Sequence, residues 1–301
     1  MKLCSIVGII LVFSSCAAKP SVTLVGTAPE SSTIPARSVP INPPDIAYEQ
    51  GIFPKPLRAA SVAQNPGTTP YSGQTPAVRL LSFEQETKAL RNAGNAERPS
   101  LELSLSLTVV EQPDSLKKVV YDTLYGGMTP EEYRDRIAAQ WKANYNEMWN
   151  DNELMATSSG SSLSGSYFES HDIVRLKHLF SVKRNWYAIT GGAHGNYASD
   201  AVIIDLDRLE WIALDAFFKT GSLPDLWSRV EKLLNTNHKT MYSDGQMVGP
   251  TTFFVNESGF VFHWAPYEIA SYAEGAIEIP VAYKDLSDLL SPRGLSLVTE
   301  P

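Results

Sequence analysis

Hydrophobic and polar positions alternate most cleanly over residues 101–109. Leu101, Leu103, Leu105, Leu107 and Val109 are separated by Glu102, Ser104, Ser106 and Thr108. A period of two predicts a half-buried strand with its odd-numbered residues inward. The period changes after Thr129. Thr129 and Glu132 form a capping-box pair around Pro130, which suits the first position of a helix. Tyr133, Ile137, Trp141, Tyr145 and Trp149 then recur every four residues. Ala138 and Met148 widen the stripe, and Arg134, Asp135 and Lys142 lie off it. The pattern predicts an amphipathic helix of about 20 residues.

From Tyr167 onward the chain reads as short strands. Residues 173–182 and 185–190 flank a turn-like Lys183 and Arg184. A strand over 201–206 returns through Asp207 and Arg208 to a strand over 211–214. Residues 225–235 form a second helix, with Pro224 near its start and Leu226, Val230, Leu233 and Leu234 on one face. Residues 251–255 and 260–264 make a hairpin across Asn256, Glu257, Ser258 and Gly259. A last strand spans 276–283 and a short final helix 286–290. Residues 77–93 read as a short helix ending near Gly94, and 158–165 as a Ser/Gly loop. The alternation of βαβ units is absent. The expected class is α+β, with antiparallel sheets packed by two main helices in one compact domain. That domain divides into an N-terminal part over 77–190 and a C-terminal part over 191–301.

The N-terminal region has a different character. Lys2 precedes a short apolar run over residues 6–13, too short to span a bilayer and typical of a secretory signal over residues 1–15. Ser14 and Ser15 lead into Cys16, in the manner of a bacterial lipobox, with Phe13 where Leu is usual. Cys4 is the other cysteine and lies inside the signal. Lipidation of Cys16 therefore explains the thiol better than any internal disulfide. More than half of the chain's 20 prolines fall between Pro20 and Pro76. Residues 16–76 read as a Pro/Ser/Thr-rich tether, reaching roughly 40–50 Å as a flexible chain. The expected localisation is the bacterial cell envelope, extracytoplasmic and lipid-anchored to a membrane.

The formal charge of −8 argues against nucleic acid, whose phosphates require clustered Lys and Arg. It suits a basic partner. Two strings carry the remaining chemistry. The first runs Thr190, Gly191, Gly192, Ala193, His194, Gly195, Asn196. Its glycines permit close approach of a ligand or another backbone, yet it lacks the spacing and following helix of a phosphate loop. His194 is a candidate base or loop-bonding residue. No HxH or HExxH spacing joins it to His171, His178, His238 or His263, so neither a metal nor another cofactor is expected. The second string runs Pro266, Tyr267, Glu268, Ile269, Ala270, Ser271, Tyr272, Ala273. Tyr267, Glu268 and Tyr272 combine rigid contact area with a carboxylate. The candidate binding set is therefore Tyr267, Glu268, Tyr272, His194 and Asn196. His194 and Glu268 are the acid/base pair of an alternative cell-wall glycan or ester hydrolase. No G-x-S-x-G elbow is present.

These strings resemble the extracytoplasmic domain of RsiV-type anti-sigma factors, which also accompanies PdaC-type peptidoglycan deacetylases. The resemblance spans about residues 101–283 and is densest after Tyr187. It rests on Thr190 through Gly195, on Leu214, Asp215, Ala216 and Phe217, on the hairpin with glycine at its turn, and on Pro266 through Gly275. The deacetylases' Asp-Asp and His-x-x-x-His metal set is missing, as is a second hydrophobic span for a direct anti-sigma role. The resemblance implies lysozyme binding in the RsiV type and a role close to peptidoglycan in the deacetylase type. With the Cys16 anchor and no catalytic constellation, the expectation is a lipid-anchored binding module for a lysozyme-like protein or peptidoglycan, without intrinsic catalysis. A purely structural surface lipoprotein is the third reading.

Overall fold

A computed structural model describes residues 75–88, 100–151, 165–189, 194–237, 249–250 and 252–299. All belong to one compact unit, Val39–Pro301. The signal, Cys16, most of the tether, the loop over 158–164, and Gly191, Gly192 and Ala193 lie outside the described residues. So do the side chains of Tyr145, Met148 and Trp149.

Six strands form one sheet in sequence order: β1 (Ala77–Lys88), β2 (Ser100–Gln112), β3 (Gly165–Arg175), β4 (Leu179–Ile189), β5 (Asn196–Asp205) and β6 (Glu210–Trp211). Three more form a second sheet: β7 (Thr252–Val255), β8 (Gly259–Trp264) and β9 (Ile277–Ala282). Helices α1 (Asp114–Tyr125) and α2 (Pro130–Asp151) connect β2 to β3. Helix α3 (Leu223–Asn237) precedes β7, and α4 (Pro292–Val298) follows β9. The α+β class holds. All strand pairs are antiparallel except β2 with β3, which the crossover through α1 and α2 makes parallel.

The period-two expectation for β2 is met, with Leu101, Leu103, Leu105, Leu107 and Val109 all buried. The capping box at α2 is also formed: Thr129 N–H donates to Glu132 Oε2 at 2.8 Å and Glu132 N–H to Thr129 Oγ1 at 3.2 Å.

Other expectations are corrected. Residues 77–88 are the edge strand β1, not a helix. Leu81 and Phe83 face Leu107 and Leu105 across the antiparallel ladder, and that long-range pairing overrides local helix propensity. Lys183 and Arg184 are not a turn. They lie inside β4, where Arg184 sits opposite Asp200 on β5 and is almost fully buried; the chain reverses instead between Arg175 and Leu179. Leu233 is more exposed than its helix neighbours Leu226, Val230 and Leu234. The final helix is α4 at 292–298, started by Ser291, whose hydroxyl accepts from Gly294 N–H. A single turn at Tyr283–Leu286 precedes it.

The large sheet is covered on one face by helices and on the other only in part. Alternation sends Phe180, Val182, Val202 and Ile204 toward α1 and α2, where they meet Leu116, Val120, Tyr133, Ile137 and Trp141. Leu179 and Ile203 point the other way, into a core with Phe217, Val230, Phe260, Phe262 and Trp264 of the smaller layer. Only the ends of β4 and β5 nearest Leu179 and Asp205 are covered on this second face. The opposite ends of β3, β4 and β5 stay accessible there.

Candidate functional site

The chain after β8 folds into a tight loop whose residues have separate duties. Ile269 and Ala270 are buried in the second core and anchor it. The Glu268 carboxylate accepts from Ala265 N–H at 2.6 Å, and Glu268 N–H donates back to Ala265 O at 3.2 Å. Tyr272 donates from its hydroxyl to Gly195 O at 2.8 Å, tying this loop to the entrance of β5. The two strings singled out in the sequence thus meet.

Their meeting point is aromatic. The His194 ring stacks on Tyr272 with centroids 3.9 Å apart and planes at 21°. Tyr267 lies 5.6 Å from Tyr272, 6.4 Å from the His194 ring, and its hydroxyl reaches His194 Nε2 at 3.3 Å. His194 Nδ1 is 3.3 Å from Gly195 O. A carbonyl only accepts, so Nδ1 carries a proton, and Nε2 shares a hydrogen bond with the Tyr267 hydroxyl. Tyr267 is 59% exposed and holds φ at +71°, the left-handed region that a non-glycine residue rarely adopts. Such strain persists where surrounding contacts impose it, and it concentrates at recognition sites. The Tyr272 hydroxyl is shifted upward by desolvation and by the neighbouring Tyr197, Tyr187 and Tyr267.

The cluster continues onto the sheet. Tyr197 on β5 lies 5.9 Å from Tyr272 in an edge-to-face contact. Tyr197 pairs across the ladder with Tyr187 on β4, which pairs with Phe168 on β3 at a ring distance of 6.0 Å. A side chain at Gly195 would place its Cβ 2.5 Å from Tyr187 Cζ, so glycine there lets the loop lie against this row. Asn196 begins β5 and points to the opposite face from Tyr197 by strand alternation, away from the row. The structure therefore brings His194, Tyr267 and Tyr272 together, leaves Asn196 apart, and uses Glu268 to hold the loop. Sequence reasoning missed Phe168, Tyr187 and Tyr197. Their signal was present as an aromatic at alternate positions on three neighbouring strands, but it becomes readable only with the register.

A second polar cluster lies on the helix-covered face. Glu169 accepts from the hydroxyls of Tyr133 at 3.1 Å and Tyr167 at 2.8 Å. His171 Nδ1 accepts from Thr108 N–H at 3.0 Å, so its Nε2 donates to Glu169 Oε1 at 3.0 Å. Arg184 pairs with Asp200. Burial pushes the Glu169 carboxyl up, but the His171 hydrogen bond, the Arg184 field and the Tyr167 hydroxyl outweigh it, and it ends below its ordinary range. Burial raises the Tyr133, Tyr167 and Tyr125 phenols. Glu169 and His171 are each 3% exposed, so the cluster satisfies a buried ladder end and offers no access to substrate.

Among the described residues no group of three His, Cys, Asp or Glu side chains is placed to hold a metal ion, and no helix is long and apolar enough to cross a membrane.

Residues 215–284 match the family described as "Protein of unknown function (DUF3298)", so a DUF3298 domain is present in the chain. No curated protein matches the sequence. Among solved structures, a DUF3298 family member from Bacteroides fragilis is 18% identical, with 74% of this chain and 96% of that one covered and a TM-score of 0.62. That likeness supports the fold. A DUF3298 family protein from Pseudomonas aeruginosa is 14% identical over 74% of this chain and 97% of that one, with a TM-score of 0.47.

Proposed function

We propose that the chain is a non-enzymatic binding module of the bacterial envelope, lipid-anchored through Cys16. Its partner is a lysozyme-like protein or peptidoglycan, held at the junction of the two loops. The observation that carries this reading is Tyr267, exposed, held in a strained backbone conformation and backed by His194 and Tyr272. Exposed aromatic groups on a rigid backing contribute contact area at low entropic cost. The resemblance of the two strings to RsiV-type domains and the net charge of −8 support a basic or wall-associated partner. This reading is favoured over a His194–Glu268 hydrolase because both nitrogens of His194 are engaged and the Glu268 carboxylate binds the Ala265 amide.

The test is binding of the purified chain to lysozyme and to isolated sacculi, with Tyr267→Ala as the probe. Micromolar binding to either, weakened at least about tenfold by the substitution, supports the reading. No binding to either sinks it. The anchor is tested separately: Cys16→Ser should release the protein from membranes, and continued fractionation with membranes removes the lipidation proposal.

A further inference from the structure

The accessible end of the large sheet carries two parallel rows of side chains. The first is the aromatic row of Phe168, Tyr187 and Tyr197, directly paired across β3, β4 and β5. Two residues along each strand lies a polar row, Ser170, Asn185 and Ser199, on the same face. Asp172 and Lys183 pair in the next row. The polar side chains are fixed relative to one another. Ser199 Oγ donates to Asn185 Oδ1 at 2.8 Å, and Asn185 Nδ2 donates to Asp172 Oδ2 at 2.8 Å. These bonds set the Asn185 amide in one orientation. They leave its second N–H and the second Asp172 oxygen without another hydrogen-bond partner among the described residues. Lys183 is committed elsewhere, donating to Glu278 at 2.9 Å and lying 4.2 Å from the centre of the Phe254 ring.

The geometry points to a saccharide subsite on this face, taking an uncharged pyranose oligosaccharide that bears hydroxyl and acetamido groups. It rests on the proposed role of the same surface in partner binding and specifies its chemistry. Aromatic side chains supply flat apolar surface for the C–H faces of sugar rings, and a few oriented polar groups fix register, the usual composition of a small-molecule site. The amide N–H of Asn185 and the carboxylate of Asp172 offer a donor beside an acceptor, which matches hydroxyl and acetamido groups. Lys183, beside Asp172 on this face, is paired with Glu278, and Asp172 adds negative charge, so phosphate and other anionic polymers are disfavoured. Three strands span about 10 Å between the outer two, room for two pyranose rings side by side. One end is bounded by Tyr272 against Tyr197, and the other by Glu278 against Lys183.

The test is calorimetric titration of the full chain with the N-acetylglucosamine tetramer, alongside lysozyme. The expected result is saturable binding of the tetramer that weakens at least about tenfold in Asn185→Ala and in Asp172→Asn. Asp172 is exposed, so Asp172→Asn reads the site even where Asn185→Ala alters the fold, and thermal melting of each variant separates the two effects. Tetramer binding that both variants leave unchanged overturns the subsite. Lysozyme binding with none to the tetramer overturns the subsite while the binding-module reading stands. Binding to neither removes both.

Discussion

At Tyr267 the backbone and the side chain pull in opposite directions. A non-glycine residue at φ +71° costs about 1 kcal/mol or more relative to an ordinary conformation, and the ring it carries is largely in solvent. Glycine would relieve the strain, while alanine would keep it and lose the ring contacts. Tyr267→Gly should therefore be more stable than Tyr267→Ala by about 1 kcal/mol in chemical denaturation, while both lose partner binding. Equal stability of the two variants would mean that the loop relaxes out of the left-handed region. Gly195 offers a complementary check. A methyl group there meets the Tyr187 ring at 2.5 Å, so Gly195→Ala should displace the aromatic row and weaken binding without touching a contact side chain. Tyrosine fluorescence, against binding in the same sample, would detect the displacement. The sequence of the second loop was readable as a chemistry-bearing turn, but the division of labour within it was not. Glu268, counted in the binding set and in the alternative acid/base pair, bonds backbone instead, because in this tight turn its carboxylate folds back onto the amide three residues earlier.

Elements defined by a local signal were legible, and those defined by partners were not. The capping box starting α2, the period-two run of β2 and the glycine turn of the β7–β8 hairpin all declare themselves within a few residues. Residues 77–88 lack such a signal, since Leu80, Leu81 and Phe83 fit either period, and only β2 decides between them. Lys183 and Arg184 misled for a related reason. Two adjacent cations suggest solvent until Asp200 is known to lie opposite. That pair now makes a strong prediction. Asp200→Ala leaves a nearly buried guanidinium without its partner and should cost about 3 kcal/mol or more in urea unfolding. The double variant Arg184→Leu with Asp200→Leu should recover much of that loss, because an apolar pair of similar volume suits the site. A double variant as unstable as the single one would show that the pair contributes more than charge compensation. Thr129→Ala, by contrast, removes one bond of an exposed capping box and should cost about 1 kcal/mol.

Across the whole molecule, β4 and β5 are shared by two cores, so the layers depend on one another for burial. Besides apolar packing, a polar bridge joins them. Glu278 on β9 accepts from Lys183 on β4 at 2.9 Å and from His263 on β8 at 3.2 Å. The His263 hydrogen bond, helped by Lys183, pulls the Glu278 carboxyl from its ordinary 4.5 down to about 2. A carboxyl depressed in the folded state binds its proton more readily when unfolded. Its stabilising contribution is therefore complete above about pH 4.5 and is lost as pH falls toward 2. The Glu278 side chain is 43% exposed, so solvent and salt screen the effect, and it should shrink as ionic strength rises. Glu278→Gln should lower the melting temperature at pH 7 and flatten the acid limb of the stability profile, so that variant and parent converge near pH 2. Melting curves at half-unit pH steps, at low and high salt, would measure this. A gap between the two proteins that stays constant through the acid range would show that the bridge acts by shape and hydrogen bonding rather than by the charge on Glu278.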